Sequence, residues 1–183
     1  VVGVTSRLVW QKGFDVVAGA WWDLLQRPMR MVVLGTGDDG VQAGLAGLAQ
    51  REPDRFAVRF AYDEGLAHRI EAAADIFLMP SLFEPCGLPQ MISCIYGSLP
   101  IAHDTGGLHD TISTIDLEKN TGNGFLFETF DANGLFWAIE QAMIFYNLPQ
   151  KAKAKQIKRI MIESRESFTH ANTARQYIKL YEK

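Results

Sequence analysis

Two basic side chains in the segment SRLVWQKG have the spacing to bind a polyanion. Arg7 and Lys12 lie five residues apart, ahead of Gly13, and they follow an apolar run that predicts a strand. A guanidinium offers a planar fork of N–H donors and an ammonium offers a point charge, so the pair suits a diphosphate. Composition alone favours the plainer interpretation, a solvated loop with ordinary surface cations.

Glu84 is the acid whose position favours a chemical role. It lies in SLFEPCG, between a predicted strand at 75–79 and a predicted helix at 87–96. An ionised carboxylate there would accept hydrogen bonds from sugar hydroxyls, or it would simply cap the helix. The first amides of that helix, at Gly87 and Leu88, would have no partner inside it and would face an anionic or hydroxyl-rich ligand.

Two glycine pairs follow other predicted strands. Gly35 and Gly37 in LGTGD permit a tight turn or a close approach of the backbone to a ligand. No GxGxxG pattern is completed, which disfavours a nicotinamide-binding loop. The second pair stands in TGGL, which would form either an anion-binding nest or a plain turn from Thr105, Gly106 and Gly107.

Two more side chains near these loops have alternative explanations. Tyr62 follows a predicted strand, where an aromatic ring would stack on a nucleobase or serve as half-buried packing. Cys86 is expected to be a small buried hydrophobe, the usual role of an unpaired cysteine. The four histidines have no serine or carboxylate at triad-like spacing, which disfavours a hydrolase.

Apolar bursts alternate with helical patterns along most of the chain. This alternation predicts a parallel sheet with helices on both of its faces. Loops at the carboxyl ends of such strands share one edge, where open α/β sheets bind ligands. The predicted strands are 1–5, 29–34, 56–60, 75–79, 98–102 and 122–127, and the predicted helices are 14–26, 40–51, 64–74, 87–96, 132–146, 149–163 and 169–181.

Composition restricts the class of protein. The chain has 183 residues, 48% of them hydrophobic, which is enough for one large globular domain. A formal net charge of −3 argues against a nucleic-acid surface built on bulk charge. Two cysteines without a histidine at ligand spacing indicate neither a zinc site nor a disulfide framework, which fits a reducing cytoplasm. No apolar run is long enough to span a membrane, and the opening strand pattern suggests a piece of a longer chain.

Taken in order and spacing, several segments resemble the retaining glycosyltransferases of the bacterial glycogen synthase and plant starch synthase type. EPCGLxQ is the most specific of them. Related sugar-nucleotide transferases carry a second glutamate where Ile92 stands, and the glycogen and starch synthases also lack it, so the resemblance narrows to them. At position 89 this chain has proline where the relatives have a small polar residue, and proline lacks a backbone N–H donor. The matching segments are 6–13, 34–38, the Tyr62 region through 68–70, 80–90, 96–101 and 105–111, with weaker identity near the C-terminus.

The resemblance implies a GT-B enzyme, in which two Rossmann-like domains face each other across a cleft. Residues 1–183 would be the C-terminal, nucleotide-sugar-binding domain, an α/β unit, and the N-terminal acceptor domain would be missing. The last helices, 149–183, would partly pack toward that missing domain. Because closure of two domains is needed for transfer, the isolated chain is predicted to be inactive.

The implied reaction is transfer of glucose from ADP-glucose to the non-reducing end of an α-1,4-glucan with retention. Neither a cofactor nor a metal is expected, nor a nucleic-acid or membrane partner. The resemblance places the enzyme in the bacterial cytoplasm, or in the plastid of a plant, and leaves open ADP- versus UDP-glucose and glycogen versus starch. Alternatives are another retaining GT-B transferase domain, a non-catalytic nucleotide- or glucan-binding module, or a plain Rossmann-like structural domain. The implied catalytic residues are Glu84, Arg7 and Lys12, and the implied binding residues are Gly35, Gly37, Tyr62, Cys86, Gly87, Leu88, Thr105, Gly106 and Gly107.

Overall fold

The computed structural model describes residues 1–182, and a six-stranded parallel sheet forms its centre. The strand order is β3-β2-β1-β4-β5-β6. Because β1 pairs with β2 on one side and with β4 on the other, the order reverses at β1, and this topological switch point is where such sheets bind ligands. The strands are β1 (Val2–Thr5), β2 (Met31–Gly35), β3 (Phe56–Phe60), β4 (Ile76–Met79), β5 (Leu99–His103) and β6 (Phe125–Phe127).

Helices connect the strands, as the alternating pattern predicts. The connections between parallel neighbours must be right-handed crossovers, which places α1 and α2 on one face of the sheet and α3 and α4 on the other. Accordingly, α6 packs on α1, whereas α3 and α7 pack on α4. The helices are α1 (Phe14–Leu25), α2 (Asp39–Arg51), α3 (Glu64–Ala73), α4 (Pro89–Tyr96), α5 (Gly106–Thr111), α6 (Ala132–Tyr146), α7 (Gln150–Ser167) and α8 (His170–Tyr181), with a short 3-10 helix at Trp10–Lys12.

The central strands are hydrophobic on both faces because helices cover both. Every residue of β4 and of β5 is buried, which confirms the interpretation of these apolar runs as interior parallel strands. In residues 1–182 no helix is both long enough and apolar enough to cross a membrane.

One predicted boundary next to the candidate site is wrong. The helix expected from Gly87 begins at Pro89, because Gly87 has a left-handed backbone with φ of +74° that no right-handed helix includes. Pro89 occupies the first helical position, where its missing N–H costs nothing. The other helix and strand bounds differ from the predicted ones by a few residues at most.

The last two helices behave differently from each other. Helix α7 packs on α4 and buries Gln156, Ile160 and Ser164, so it belongs to this domain. Helix α8 begins as expected at a Thr169 cap, whose side chain accepts from the Asn172 amide, but it buries no residue. Packing toward another domain therefore stays a prediction for α8 and no longer includes the buried face of α7.

Gly13 joins the loop after β1 to the end of β4. Its φ is +74°, and a Cβ at this position would lie 1.8 Å from the carbonyl oxygen of Pro80. No other residue type combines a left-handed backbone with this close approach. The contact fixes the two strand ends against each other.

Replacing Gly13 with alanine should lower the free energy of unfolding by at least about 2 kcal/mol, since a left-handed non-glycine residue is strained and its methyl group overlaps backbone. Urea denaturation followed by circular dichroism measures the loss. Gly44→Ala is the matched control, because a Cβ at Gly44 meets nothing within 4 Å. It should hold or raise stability, by up to about 1 kcal/mol. Equal unfolding midpoints for the two variants would contradict the prediction.

Candidate functional site

An ion pair between two loops forms the centre of the site. The Lys12 Nζ lies 2.5 Å from Oε2 of Glu84, and the two side chains are only 15% and 12% exposed. The Ser81 hydroxyl donates to the same carboxylate oxygen at 3.2 Å. Glu84 therefore makes no cap on α4, whose N-cap residue is Leu88 without a side-chain hydrogen bond. The capping interpretation of Glu84 is wrong.

Two adjacent pockets open at the carboxyl edge of the sheet. The cleft pocket, about 420 Å³, lies between the ends of β1 and β4 and is lined by Arg7, Lys12 and Glu84 among others. The tyrosine pocket, about 270 Å³, lies between the ends of β1 and β2 and the start of α3, and it includes Arg7 and Tyr62. Thr5, Ser6 and Arg7 line both pockets, so the β1 loop is their common wall.

Arg7 and Tyr62 are both available to a ligand. Arg7 is exposed, and its guanidinium makes no hydrogen bond or ion pair with any other residue of 1–182. Tyr62 is 90% exposed, which shows that the alternative of half-buried packing is wrong. Since the ring belongs to one pocket and the guanidinium to both, a single ligand with an aromatic and an anionic part fits across them.

The Gly87 loop also differs from the sequence expectation. Cys86 is exposed rather than buried, so it is no core hydrophobe. The amides of Gly87 and Leu88 precede α4 and are not its first-turn donors. Neither amide donates to another residue within 1–182, however, and both residues line the cleft pocket. They remain available hydrogen-bond donors, although the geometry is that of a loop.

The glycines of LGTGD and TGG hold loops together. A Cβ at Gly35 would lie 1.9 Å from the Ser6 oxygen, and one at Gly37 would lie 2.3 Å from the Leu8 oxygen. Gly35 also lines the tyrosine pocket, whereas Gly37 lines neither pocket. Gly106 and Gly107 likewise approach the loop that carries Glu84. An added Cβ at Gly106 would lie 2.3 Å from the carbonyl oxygen of Glu84, and one at Gly107 would lie 2.2 Å from that of Cys86. The Thr105 side chain makes no capping hydrogen bond to α5.

Gln90 is a structural residue to which the sequence reasoning assigned no role. Its side chain is 1% exposed, and its amide nitrogen lies 3.0 Å from the carbonyl oxygens of Cys86 and Gly87 and from the Thr111 hydroxyl. Thr111 in turn donates to the Gly107 carbonyl at 2.5 Å. The buried Gln90 amide thus connects the loop at Cys86 and Gly87 to α5. Its place in EPCGLxQ was the only available signal.

His103 is a second such residue. Its Nδ1 lies 2.9 Å from the Ser81 carbonyl oxygen, and its ring packs against Phe127 and Phe130 at centroid distances of 5.5 and 5.0 Å. Because the Ser81 hydroxyl donates to Glu84, the contact of His103 with Ser81 helps to fix the position of the ion pair. No pattern in the sequence indicates this contact.

A buried carboxylate supports the wall that the two pockets share. The Thr5 hydroxyl donates to Oε1 of Glu71 at 3.3 Å, and Oε2 lies 3.2 Å from Nδ1 of His68. Burial raises the pKa of Glu71, while His68 and the Thr5 hydrogen bond act in the opposite direction. The contact with His68 becomes an ion pair only when that ring is protonated.

Comparison with known proteins gives the family. The model of the family described as "Glycosyl transferases group 1" matches residues 1–144. The chain belongs to the group 1 glycosyltransferases. The resemblance of SRLVWQKG, EPCGLPQ and TGGL to glycosyltransferases is therefore confirmed at the level of the family.

Individual relatives of this glycosyltransferase chain are glycogen and starch synthases. It is 42% identical to the glycogen synthase of Streptococcus gordonii over 83% of its length and 32% of the relative's. It is 42% identical to that of Clostridium perfringens over 100% of its length and 37% of the relative's. The solved catalytic domain of Starch Synthase IV from Arabidopsis thaliana, bound to ADP and acarbose, is 36% identical and superimposes with a TM-score of 0.86 over 99% of this chain and 37% of that one. The chain thus spans about a third of the length of these relatives.

The structure also bears on metal binding. Among residues 1–182, no three histidine, cysteine, aspartate or glutamate side chains lie close enough together to hold a metal ion. The charged side chains that line the cleft pocket are Arg7, Lys12 and Glu84, and those that line the tyrosine pocket are Arg7, Asp63 and Glu64.

Gln90→Ala should lower the free energy of unfolding by about 2 kcal/mol, because the carbonyls of Cys86 and Gly87 and the Thr111 hydroxyl lose their donor and a small cavity remains. Urea denaturation measures this loss. Gln26→Ala removes the same side chain from an exposed position and should change stability by less than about 0.5 kcal/mol. An unfolding midpoint of the Gln90 variant equal to that of the control would show that the amide does not hold the loops.

Proposed function

We propose that this chain is the donor-binding domain of a glycogen synthase, which transfers glucose from ADP-glucose to the non-reducing end of an α-1,4-glucan with retention. One observation carries the proposal. Arg7, Lys12 and Glu84 line a single pocket at the switch point of the sheet, and Tyr62 lies in the pocket beside it. That arrangement suits a nucleoside diphosphate joined to a hexose. The names of the relatives and the ADP in the starch synthase structure support the same reading.

The donor is assigned to the two pockets by chemistry. Adenine stacks on the exposed ring of Tyr62 in the tyrosine pocket, near Gly35. The diphosphate lies against Arg7, the residue common to both pockets. Glucose occupies the cleft pocket, where the Gly87 and Leu88 amides donate to its hydroxyls. Gly37, Cys86, Thr105, Gly106 and Gly107 shape the loops around this donor.

The Lys12–Glu84 pair gives the pocket its chemistry. An ammonium has three N–H donors, so Lys12 holds the carboxylate with one and directs others to the departing diphosphate. As the bond to glucose breaks, negative charge grows on the leaving group and positive charge grows on the sugar. Arg7 and Lys12 stabilise the first and Glu84 the second, so their effect is larger in the transition state than in the ground state.

The glucan acceptor and a second domain complete the proposed enzyme. The acceptor binds between this domain and an N-terminal one, and the exposed apolar side of α8 packs toward that second domain. Tyr177, Ile178 and Leu180 are exposed on α8, and none of its residues is buried. The bacterial relatives favour a cytoplasmic enzyme.

Arg7→Ala should weaken ADP binding about tenfold while leaving the fold intact, since the guanidinium has no protein partner within residues 1–182 to lose. Isothermal titration calorimetry of this chain with ADP measures the change, with UDP as a parallel titration for base preference. Arg30→Ala is the control, because Arg30 is an exposed cation just before β2, at the opposite edge of the sheet. Unchanged ADP affinity in the Arg7 variant would remove the diphosphate site.

The isolated chain should show no glucosyl transfer, because the acceptor site and domain closure are both needed for reaction. Incorporation of labelled glucose from ADP-glucose into glycogen measures it, with an intact two-domain glycogen synthase as the positive control. Incorporation of glucose into glycogen by the chain alone would contradict the assignment of the acceptor site to another domain.

A further inference from the structure

A buried carboxylate behind the donor pockets has no part in the proposed reaction. Glu71, on α3, is 4% exposed. It lies one helical turn after Ala67, which lines the tyrosine pocket, and residues four apart on a helix share a face. Its Oε1 accepts the Thr5 hydroxyl at 3.3 Å, and Thr5 lines both pockets. The charge of Glu71 is therefore placed behind the wall against which the diphosphate is proposed to bind.

His68 connects this carboxylate to solvent. Its Nδ1 lies 3.2 Å from Oε2 of Glu71, and 45% of the histidine side chain is exposed. Oε2 itself is buried, and no other residue of 1–182 forms a hydrogen bond with it. Because the carboxylate is nearly out of contact with water, protons reach the pair through the exposed imidazole ring.

Few other ionisable groups face the pair. Helix α3 packs against β1, β2 and α4, and the two strands contain no ionisable residue. Helix α4 contributes the Tyr96 hydroxyl, which lies 3.5 Å from Nδ1 of His68, while its Cys94 thiol contacts a loop near β6. On α3 itself, Glu64 lies one turn before His68, and Arg69 donates to the helix backbone. The Glu71–His68 contact is thus the main ionic interaction of this carboxylate.

The two residues titrate as one unit. Burial raises the pKa of Glu71, while His68 and the Thr5 hydrogen bond oppose that rise. A carboxyl group with a raised pKa titrates nearer to the range of imidazoles, and a proton taken up by such a pair belongs to both members. Whichever of the two carries the proton, the pair loses its single negative charge as the pH falls.

We propose that donor binding is linked to this protonation, so that the Glu71–His68 pair takes up a proton when a nucleoside diphosphate sugar binds. The proton comes from water, and no other bond is formed or broken. The unprotonated pair places a negative charge on the far side of Thr5 from the diphosphate and repels it. The protonated pair leaves the attraction of Arg7 and Lys12 undiminished. The inference rests on the proposed function, which supplies the anionic ligand.

Isothermal titration calorimetry of this chain with ADP-glucose tests the linkage. Each phosphorus of ADP-glucose carries a single, strongly acidic hydroxyl, so the ligand contributes no titrating phosphate near neutral pH. Affinity should rise about tenfold between about pH 8 and about pH 5.5, as the pair gains its proton. Titrations at about pH 7 in buffers of different ionisation enthalpy should show net proton uptake on binding. Net proton release, or an affinity that does not change with pH, would overturn the inference.

Two variants change the titration while keeping the hydrogen bonds. Glu71→Gln still accepts from Thr5, and His68→Asn still offers an N–H where Nδ1 stands. Glu71→Gln should already bind tightly at about pH 8 and gain less than about twofold on acidification. His68→Asn should move the gain in affinity to lower pH, because Glu71 then titrates alone. A change of affinity that is equal at every pH would show a merely structural role and overturn the inference. Circular dichroism shows whether each variant is folded, and the pH profile of His68→Asn decides alone if Glu71→Gln is not.

Matched controls are Glu166→Gln and His170→Asn, since both residues are exposed and neither lines a donor pocket. Both should keep the affinity and the proton uptake of the unaltered chain. Binding of ADP-glucose without a pH dependence that Glu71→Gln removes would overturn the linkage and leave the donor site standing. Absence of ADP-glucose binding at every pH would overturn the proposed function and the linkage together.

Discussion

The geometry of the candidate site depends on an ion pair that is largely removed from water. Lys12 and Glu84 are 72 residues apart in the chain, and each charge is stable at its place only because the other is beside it. Loss of either partner would leave an uncompensated charge among loops. The strand ends that carry the two residues therefore have to be held in fixed relation.

Three features hold those strand ends. Gly13 allows the β1 loop to lie directly on the Pro80 carbonyl, and the Gly107 amide donates to the Glu84 carbonyl at 2.8 Å. The buried side-chain amide of Gln90 donates to the carbonyls of Cys86 and Gly87 and so fixes the loop that follows Glu84. None of the three touches a ligand in the proposed arrangement, yet each sets the position of a side chain that does.

The fold was largely predictable because its signals are local. Apolar runs predict all six strands, and the alternation of strands and helices predicts their parallel pairing. That prediction already places Arg7, Tyr62 and Glu84 at one edge. The high exposure of Tyr62 and the isolation of Arg7, by contrast, depend on which neighbours the folded chain brings near them, and sequence spacing contains no such information.

The errors have the same physical origin. The apolar spacing after Gly87 predicts a helix from that residue, but Gly87 has a left-handed backbone, so α4 begins two residues later. An unpaired cysteine is usually a core residue, but Cys86 is exposed on a loop. Glu84 could have capped a helix, but a distant lysine competes for it more strongly than nearby amides do. A backbone conformation decided between the local alternatives at Gly87, and a long-range contact decided between those at Glu84.

Helix α8 has a thermodynamic consequence for assembly. Twelve residues form a marginal helix in water when no side chain is buried, and α8 buries none in this domain. Its order in solution is therefore decoupled from the cooperative melting of the sheet. Ordering the segment against another surface consumes part of the free energy of that contact. In the proposed two-domain enzyme, a contact made by α8 is therefore expected to be weak per unit of buried area.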